Sequence, residues 1–305
     1  SYDGLRGSPQ RDDFDPNLRT STNNQDWTQT EASVHANAGI AYQYFFDKFG
    51  RNSIDGNGGN VLSLMNINEM DGTRMDNAFW NGRALFYGNG ADTFYRLPRG
   101  LDVAGHEMAH GVIQATADLI YEEQPGAINE SFADIFGYLI EGETGDHRIG
   151  EDVVTGAFPS GALRDIRNPN NGASSPGQRG WQPAHMDEFV NLPNTEDGDR
   201  GGVHVNSGIT NRAFYLFSSN SAVGDTRAEQ VYYRALNTYL TRSSRFADLR
   251  IAVVNAATDL YGGSVVAAAN AAFDGVGIGG EAGDYTVDLA TNEGDRFLLL
   301  ANTDE

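Results

Sequence analysis

The residues best suited to chemistry in this sequence are two histidines and a glutamate, His106, Glu107 and His110. The histidines are four residues apart in a stretch whose spacing predicts a helix, so both imidazoles would lie on one face within reach of one metal ion. Glu107 is next to His106 and could hold a water molecule bound to that ion. The alternative for this pattern alone is a pair of solvated histidines on an amphipathic helix.

A catalytic zinc ion needs a third protein ligand and an open coordination position. Glu130 is the candidate, because a second predicted helix could bring it back against the first in a helical hairpin. Asp134 lies one turn further on the same face and could accept the second N–H of a ligand histidine. The alternative is an exposed acidic face, but both residues stand in an otherwise apolar helix, where charges usually have a partner.

Hydrophobic periodicity predicts the elements that must position these residues. The segment 143–206 is rich in Gly, Pro, Asn and Asp, and such a long irregular stretch is often functional or braced by metal. The other segments suggest a strand-rich first half and a helical second half. Helices are predicted at 31–49, 102–117, 129–141, 208–217, 227–240, 246–261 and 264–273, and strands at 61–67, 79–87, 94–97, 285–289 and 297–300.

Charge is the main anomaly of the composition. The chain of 305 residues carries 21 Lys+Arg against 42 Asp+Glu, a formal net charge of −21. Such a polyanion repels phosphates, so nucleic-acid binding is not expected. The acidic surface has two interpretations, a solubilising surface and adaptation to high salt, where ions screen self-repulsion. Only the second predicts a gain in stability from dilute buffer to molar salt.

Cysteine is absent, so disulfides cannot stabilise the chain and thiol catalysis is excluded. Hydrophobic residues make up 39% of the chain, which allows a sizeable core. No apolar run approaches the ~20 residues that span a bilayer, so no membrane partner is expected. Residues 1–11 are polar and carry no signal-peptide pattern, which suggests a processed mature form.

Four separated segments resemble signature segments of the thermolysin family, the gluzincin neutral metalloendopeptidases. These segments follow the family's order along the chain, and the resemblance as a whole runs from about residue 31 to about residue 277. The four segments lie at 77–82, 103–111, 126–137 and 201–208. The resemblance implies a two-lobed α+β fold with the active site between the lobes and the zinc helix at the floor of the cleft. The expected parts are a strand-rich lobe with the zinc helix at 1–118, a helical lobe at 119–278 and a C-terminal extension at 279–305.

The resemblance also implies roles in catalysis. Glu107 would be the general base, and His204 and Tyr121 would hydrogen-bond the oxyanion of the tetrahedral intermediate. Without the resemblance, the sequence places His204 on a Gly-rich loop, where a ligand histidine and a surface histidine are equally good interpretations. The zinc ligands would be His106, His110 and Glu130, their hydrogen-bond partners Asn129 and Asp134, and the carboxylate that orients His204 would be Asp199.

Substrate contacts follow from the same resemblance. Asn77 and Ala78 would belong to an edge strand that binds the peptide main chain, and Arg164 would hold a substrate carbonyl. A specificity pocket for a large apolar residue just after the scissile bond would be lined by Phe94, Leu97, Val103 and Leu163. The alternative for these four side chains is ordinary core. His35, His147 and His185 match no family role and are expected to be structural or surface residues.

At least one structural calcium ion is the second metal implied. Carboxylates fall where the family places its main calcium site, and hard oxygen ligands suit Ca²⁺; they are Asp102, Glu141, Asp146 and Glu151. Arg148 stands where an acidic residue often does, which argues against a two-ion cluster. Gly161 replaces an aspartate of a further family site, which is therefore not expected. The N-terminal stretch before residue 31 is short for the family, so the N-terminal sheet must be trimmed or differently built.

The function expected from the resemblance is hydrolysis of internal peptide bonds by a secreted, extracellular enzyme. Its partners would be peptide or protein substrates and, because the family is made as zymogens, its own propeptide; the chain would be a monomer. One alternative is a catalytically silent zinc protein, although Glu107, Tyr121 and His204 are all retained. Another is a processing peptidase with a narrow target.

Overall fold

A computed structural model describes residues 2–3, 17–20, 25–143 and 145–279 of the chain. The predicted runs at 285–289 and 297–300, and the extension from residue 280 on, lie outside the described residues. The helices are α1 Gln29–Phe49, α2 Leu101–Gln114, α3 Glu123–Glu141, α4 Asp199–Ser218, α5 Gly224–Arg234, α6 Phe246–Leu260 and α7 Gly263–Asp274. The strands are β1 Tyr2–Asp3, β2 Asn17–Leu18, β3 Ser63–Ile67, β4 Ala78–Trp80, β5 Leu85–Gly88, β6 Arg148–Ile149 and β7 Arg164–Asp165.

A five-stranded sheet forms the N-terminal half, in the order β2-β1-β3-β5-β4. Strand β3 runs parallel to β5, and β4 pairs antiparallel with β5 through Ala78↔Tyr87, Phe79↔Phe86 and Trp80↔Leu85. Among the described strands, β4 therefore pairs on one side only and forms an edge of the sheet. The two outer strands at the opposite edge, β1 and β2, have two residues each.

Helix boundaries follow local capping chemistry. Helix α1 begins two residues before the predicted start, because the Thr28 hydroxyl accepts from the Glu31 N–H and the Glu31 carboxylate accepts from the Thr28 N–H, a capping box. Gly50 ends the helix in the left-handed conformation, with φ 66°. Helix α3 begins at Glu123 rather than at 129, and Pro125 is tolerated in its first turn, where no N–H partner is needed.

Four further predictions from the sequence are wrong in detail. The strand predicted at 79–87 is two antiparallel strands, β4 and β5. Segment 94–97 is not a strand: Phe94 makes an isolated bridge to Val154, and Leu97 starts a short 3-10 helix. His204 is not on a loop, because α4 begins at Asp199 instead of 208. The helix predicted over 227–240 is α5 followed by a π-helical turn, Ala235–Tyr239.

Helices α2 and α3 pack closely in the middle of the molecule, and α4 packs on α3. A β-carbon at Gly137 would lie 2.7 Å from the Asp102 carbonyl oxygen, and one at Gly105 would lie 3.1 Å from the Gly137 α-carbon. These two glycines let the α2 and α3 backbones approach, which brings the side chains of α3 within reach of those of α2. Among the described residues, no helix is both long and apolar enough to cross a membrane.

Candidate active site

The two predicted zinc histidines face Glu130 across the contact between α2 and α3. The Nε2 atoms of His106 and His110 are 3.0 Å apart, and Glu130 carboxylate oxygens lie 3.6 Å and 3.4 Å from them. A tetrahedral zinc ion with bonds of 2.0–2.1 Å separates its ligand atoms by about 3.3 Å. The three observed distances between ligand atoms, 3.0, 3.4 and 3.6 Å, lie on either side of that value, so the three side chains fit one zinc ion.

The opposite nitrogen of each histidine is held by a residue of α3. Nδ1 of His106 lies 2.9 Å from Asp134 Oδ1, and Nδ1 of His110 lies 2.8 Å from Asn129 Oδ1. Asn129 in turn donates to the Leu119 carbonyl at 3.2 Å, which determines which end of its amide faces the histidine. Each imidazole therefore carries its proton on Nδ1 and presents Nε2 to the metal position.

An unsatisfied carboxylate oxygen supports the metal assignment independently. Glu130 is 1% exposed, and its Oε2 has no hydrogen-bond partner among the described residues. A buried carboxylate oxygen without a partner is unfavourable, and a cation removes the deficit. Burial opposes a charge on His110, but Glu130 outweighs it and raises the pKa of His110 to about 9. Zinc must displace that proton, so its affinity should increase with pH.

Glu107 lies beside the metal position, on the cleft side of α2. It is 6% exposed and lines the cleft together with both histidines. Its charge is close enough to Tyr87 to add to the effect of burial in raising the pKa of that phenol. The carboxylate is thus placed where it can exchange a proton with a molecule bound next to the metal.

Two further donors converge on the same point from the helical half. The Tyr121 hydroxyl contacts Glu130 and lies 3.0 Å from Nε2 of His204. Asp199 orients His204 through the opposite ring nitrogen: Asp199 Oδ1 lies 2.5 Å from His204 Nδ1, and Asp199 Oδ2 accepts the backbone N–H of His204 at 2.9 Å. Loss of hydration opposes a charge on His204, but the Glu130 and Asp199 carboxylates outweigh it and raise the pKa of His204. His204 therefore stays protonated to a higher pH than a free imidazole, and in that form it donates a hydrogen bond from Nε2.

A kink at the start of α4 turns His204 toward the metal. Arg200, Gly201 and Gly202 have φ angles of 49°, 86° and 83° inside the helical span. A β-carbon at Gly201 would lie 3.1 Å from the Glu123 α-carbon, so only glycine fits there without displacing α3. The kink closes a turn in which Asp199 reaches the N–H groups of His204 and Val205.

A cleft of about 1080 Å³ contains the metal position and the predicted substrate contacts. Asn77, Ala78 at the start of β4, Arg164 and His204 all line this cleft. The four predicted pocket residues also line this cleft; they are Phe94, Leu97, Val103 and Leu163. Ile149 and Val153 line it too, and sequence reasoning missed them because nothing distinguishes them from core residues.

Arg164 is anchored to the residue that supports His106. Its Nε and Nη2 donate to the two Asp134 oxygens at 2.7 Å and 2.6 Å, and Asn211 donates to Oδ2 at 2.8 Å. Asp134 is 0% exposed and Arg164 8%. Burial opposes the charge on Asp134, but Arg164 and His106 outweigh it and lower the pKa of Asp134. Asn211 was missed by sequence reasoning, although a polar residue in an apolar helical run was a usable signal.

Three of the four predicted calcium carboxylates form a second cluster. Ligand oxygens of Asp102, Glu141 and Glu151 lie within 4.8 Å of one another. Burial and mutual repulsion raise the pKa of Glu141 to about 8 and that of Glu151 to about 7. The fourth, Asp146, instead accepts from Arg148 Nε and Nη2 at 3.0 Å and 2.7 Å.

The described architecture and site define a two-lobed α+β metalloprotein of the zincin class, with its ligands on two packed helices below an edge strand. Two family models match it, the thermolysin metallopeptidase catalytic domain over residues 6–114 and the thermolysin metallopeptidase alpha-helical domain over residues 117–278. The chain therefore belongs to the thermolysin metallopeptidase family. The predicted fold class and family are confirmed, whereas the lobe boundary at residue 118 stays a prediction.

Similar proteins give the same picture. The chain is 44% identical to a bacillolysin of Bacillus amyloliquefaciens over 86% of this chain and 47% of that protein. It is 42% identical to an extracellular elastase of Staphylococcus epidermidis over 84% of this chain and 48% of that protein. The chain thus spans about half the length of these relatives. A solved precursor of protealysin, a metalloproteinase from Serratia proteamaculans, superposes with a TM-score of 0.80 at 29% identity and covers 91% of this chain and 86% of that one.

Proposed function

We propose that this chain is a zinc-dependent endopeptidase that hydrolyses internal peptide bonds, preferentially before a large apolar residue. The observation that carries the proposal is that Glu107, Tyr121 and His204 line the same cleft as a three-ligand metal position, beside a strand edge that no other described strand covers. A silent zinc protein would have no need of these three groups.

When bound, zinc supplies a Lewis acid that makes a water molecule nucleophilic near neutral pH. Glu107 accepts a proton from the attacking water and returns it to the leaving amine, so one carboxylate acts first as base and then as acid. His204 and Tyr121 donate hydrogen bonds to the oxygen on which negative charge develops. No side chain forms a covalent bond to the substrate.

Substrate binding is proposed to use the open edge of β4. A peptide extended along this edge gains main-chain hydrogen bonds that do not depend on its sequence. Selectivity then comes from the apolar part of the cleft, where Phe94, Leu97, Val103 and Leu163 would contact the residue just after the scissile bond. Arg164 has Nη1 left to donate to a substrate carbonyl, since its Nε and Nη2 are used by Asp134.

The direct test is digestion of casein before and after treatment with a zinc chelator. We expect cleavage at internal bonds, its loss with the chelator, and its return when zinc is added. Absence of chelator-sensitive cleavage would favour the silent zinc protein. Cleavage of one protein only, among many unfolded substrates, would favour a processing peptidase with a narrow target.

His204→Gln is expected to lower kcat about 10²-fold and to change KM little, because the lost donor acts on charge that develops in the transition state. Steady-state kinetics on a peptide with one internal cleavage site measures both constants. His35→Gln is the matched control, since His35 is exposed on α1, away from the cleft. A rise in KM with unchanged kcat would assign His204 to ground-state binding instead.

We also propose one structural calcium ion at Asp102, Glu141 and Glu151. Asp102 is 0% exposed, and Oε2 of Glu151 has no partner among the described residues. Three carboxylates this close raise one another's pKa, and a hard cation relieves the repulsion. The pairing of Asp146 with Arg148 supports one ion rather than two.

Calcium-free protein is expected to lose stability as pH rises from about 5 to 8. The pKa values of Glu151 and Glu141, about 7 and 8, exceed the ~4.3 of an unfolded glutamate. The folded chain therefore binds more protons than the unfolded chain between about pH 5 and 8, and its free energy of unfolding falls as these protons dissociate. Calcium at 100 times its Kd should add about 2.7 kcal/mol and flatten the trend, because it binds the charged carboxylates. Denaturant unfolding across this pH range checks both effects; equal slopes with and without calcium would refute the site.

Secretion, synthesis with an inhibitory propeptide and a monomeric state complete the proposal. One relative is named an extracellular elastase and one solved relative is a precursor, which supports the first two. Detection of activity in the culture medium and light scattering of the purified chain test them. Capture of a longer inactive form would support the propeptide.

A further inference from the structure

A second cavity of about 420 Å³ lies next to the catalytic cleft, and Phe94 lines both. Its wall contains three arginines, Arg74, Arg96 and Arg99, and no acidic residue among the described ones. The rest of the lining is Gln29, Asn89, Gly90, Ala91 and Tyr95. This concentration of positive charge is notable in a chain with 21 Lys+Arg against 42 Asp+Glu.

The three arginine side chains make no hydrogen bond or ion pair with the described residues. Most other arginines of the described part are engaged; for example, Arg164 pairs with Asp134, Arg148 with Asp146 and Arg250 with Asp274. In a chain of net charge −21, unpaired arginines that face one cavity are not needed for solubility. Their guanidinium groups are instead free to bind a carboxylate by bidentate hydrogen bonds.

The cavity wall is fixed in place by Asp76. Its carboxylate accepts the backbone N–H groups of Ala91, Thr93 and Phe94 at 2.8, 2.7 and 2.9 Å. Gly90 closes the turn, where a β-carbon would lie 2.1 Å from the Tyr95 carbonyl oxygen. The backbone of this part of the wall is therefore preorganised, whereas the side chains of Arg74, Arg96 and Arg99 are exposed.

The position of the cavity relates it to the substrate. Arg74 precedes Asn77 of the substrate edge by three residues, at most about 10 Å of extended chain. A peptide that places its large apolar residue against Phe94 and continues past Asn77 would bring a side chain two to three residues further on near Arg74. Resting on the proposed endopeptidase function, we propose that this cavity is a substrate subsite for a carboxylate two to three residues after that apolar residue.

The test uses peptides with one cleavable bond and amidated ends, which carry Asp or its isostere Asn at successive positions after the apolar residue. The expected result is a kcat/KM about fivefold higher for Asp than for Asn at the second or third position, which falls toward one in 1 M NaCl because exposed charges are screened. A second set that ends there with a free carboxylate distinguishes a C-terminal carboxylate from a side chain.

The triple variant Arg74→Gln, Arg96→Gln and Arg99→Gln should bring the Asp/Asn ratio to about one or below, since the remaining field of the protein repels acidic peptides. Arg83→Gln is the matched control, because Arg83 is an exposed arginine between β4 and β5 that lines neither cavity; it should leave the ratio unchanged. A ratio of one in the wild type, or a preference that survives the triple change, would overturn the inference. Cleavage of no peptide at all would instead refute the proposed function.

Discussion

Glu107→Gln is expected to lower kcat/KM about 10³-fold for hydrolysis of an internal peptide bond, with the zinc content unchanged. Glutamine has the volume of glutamate but cannot accept the proton of the attacking water. The three ligand side chains lie on other residues, and their partners Asn129 and Asp134 are untouched by the change. Steady-state kinetics together with metal analysis of the same preparation separates loss of the base from loss of the metal.

Glu69→Gln is the matched control for this experiment. Glu69 also lines the cleft but is exposed, so the same loss of one charge should change kcat/KM only slightly. Turnover close to wild type in Glu107→Gln would refute the assigned base. A zinc content that falls in parallel with activity would show that Glu107 acts through the metal site instead.

Asp134→Asn is expected to give the largest loss of stability, about 3–5 kcal/mol, together with zinc affinity about 10- to 100-fold weaker. The change leaves the buried guanidinium of Arg164 without its counter-charge, and it weakens the hold on Nδ1 of His106. Denaturant unfolding of the zinc-free protein measures the first effect, and competition with a zinc chelator measures the second.

Asp118→Asn provides the comparison, because Asp118 also pairs with an arginine, Arg242, but at the surface. Such a pair contributes about 0–1 kcal/mol. Adding Arg164→Met to Asp134→Asn should recover part of the stability, because it removes the orphaned charge, but should not restore zinc affinity. Recovery of both would mean that Arg164, rather than the contact to His106, controls the metal site.

Periodicity and residue spacing were enough to locate the metal centre. His106 and His110 share a face of α2 by helical geometry alone. Glu130, 20 residues after His110, stands in an apolar helix, where its charge needs a partner. Both inferences use contacts that are local or lie between neighbouring helices. The start of α3 was placed too late because Glu123 to Ile128 contains Pro125 and Gly126, which are poor helix formers in general but are accommodated in its first turn and against α4.

The surroundings of the metal could not be predicted from spacing. His204 reaches it only because three residues with positive φ kink the start of α4, a conformation that the Gly-rich sequence suggested as loop. The network of Asp134, Arg164 and Asn211 joins three elements that are distant in sequence. Segment 94–97 is aromatic, which favours a strand, but the N–H groups of Thr93 and Phe94 donate to the Asp76 carboxylate and the chain there is irregular. For His204 and Arg164 the resemblance, not the pattern, supplied the expectation.

The open edge of β4 has a consequence for how copies of this chain behave together. An edge that accepts any extended peptide also accepts an unfolded or frayed segment of a neighbouring molecule, so crowding promotes both edge-to-edge aggregation and self-digestion. The net charge of −21 keeps neighbours apart, most strongly in dilute buffer. At molar salt the screening length shrinks to about 3 Å, and resistance to autolysis then depends on folded stability alone.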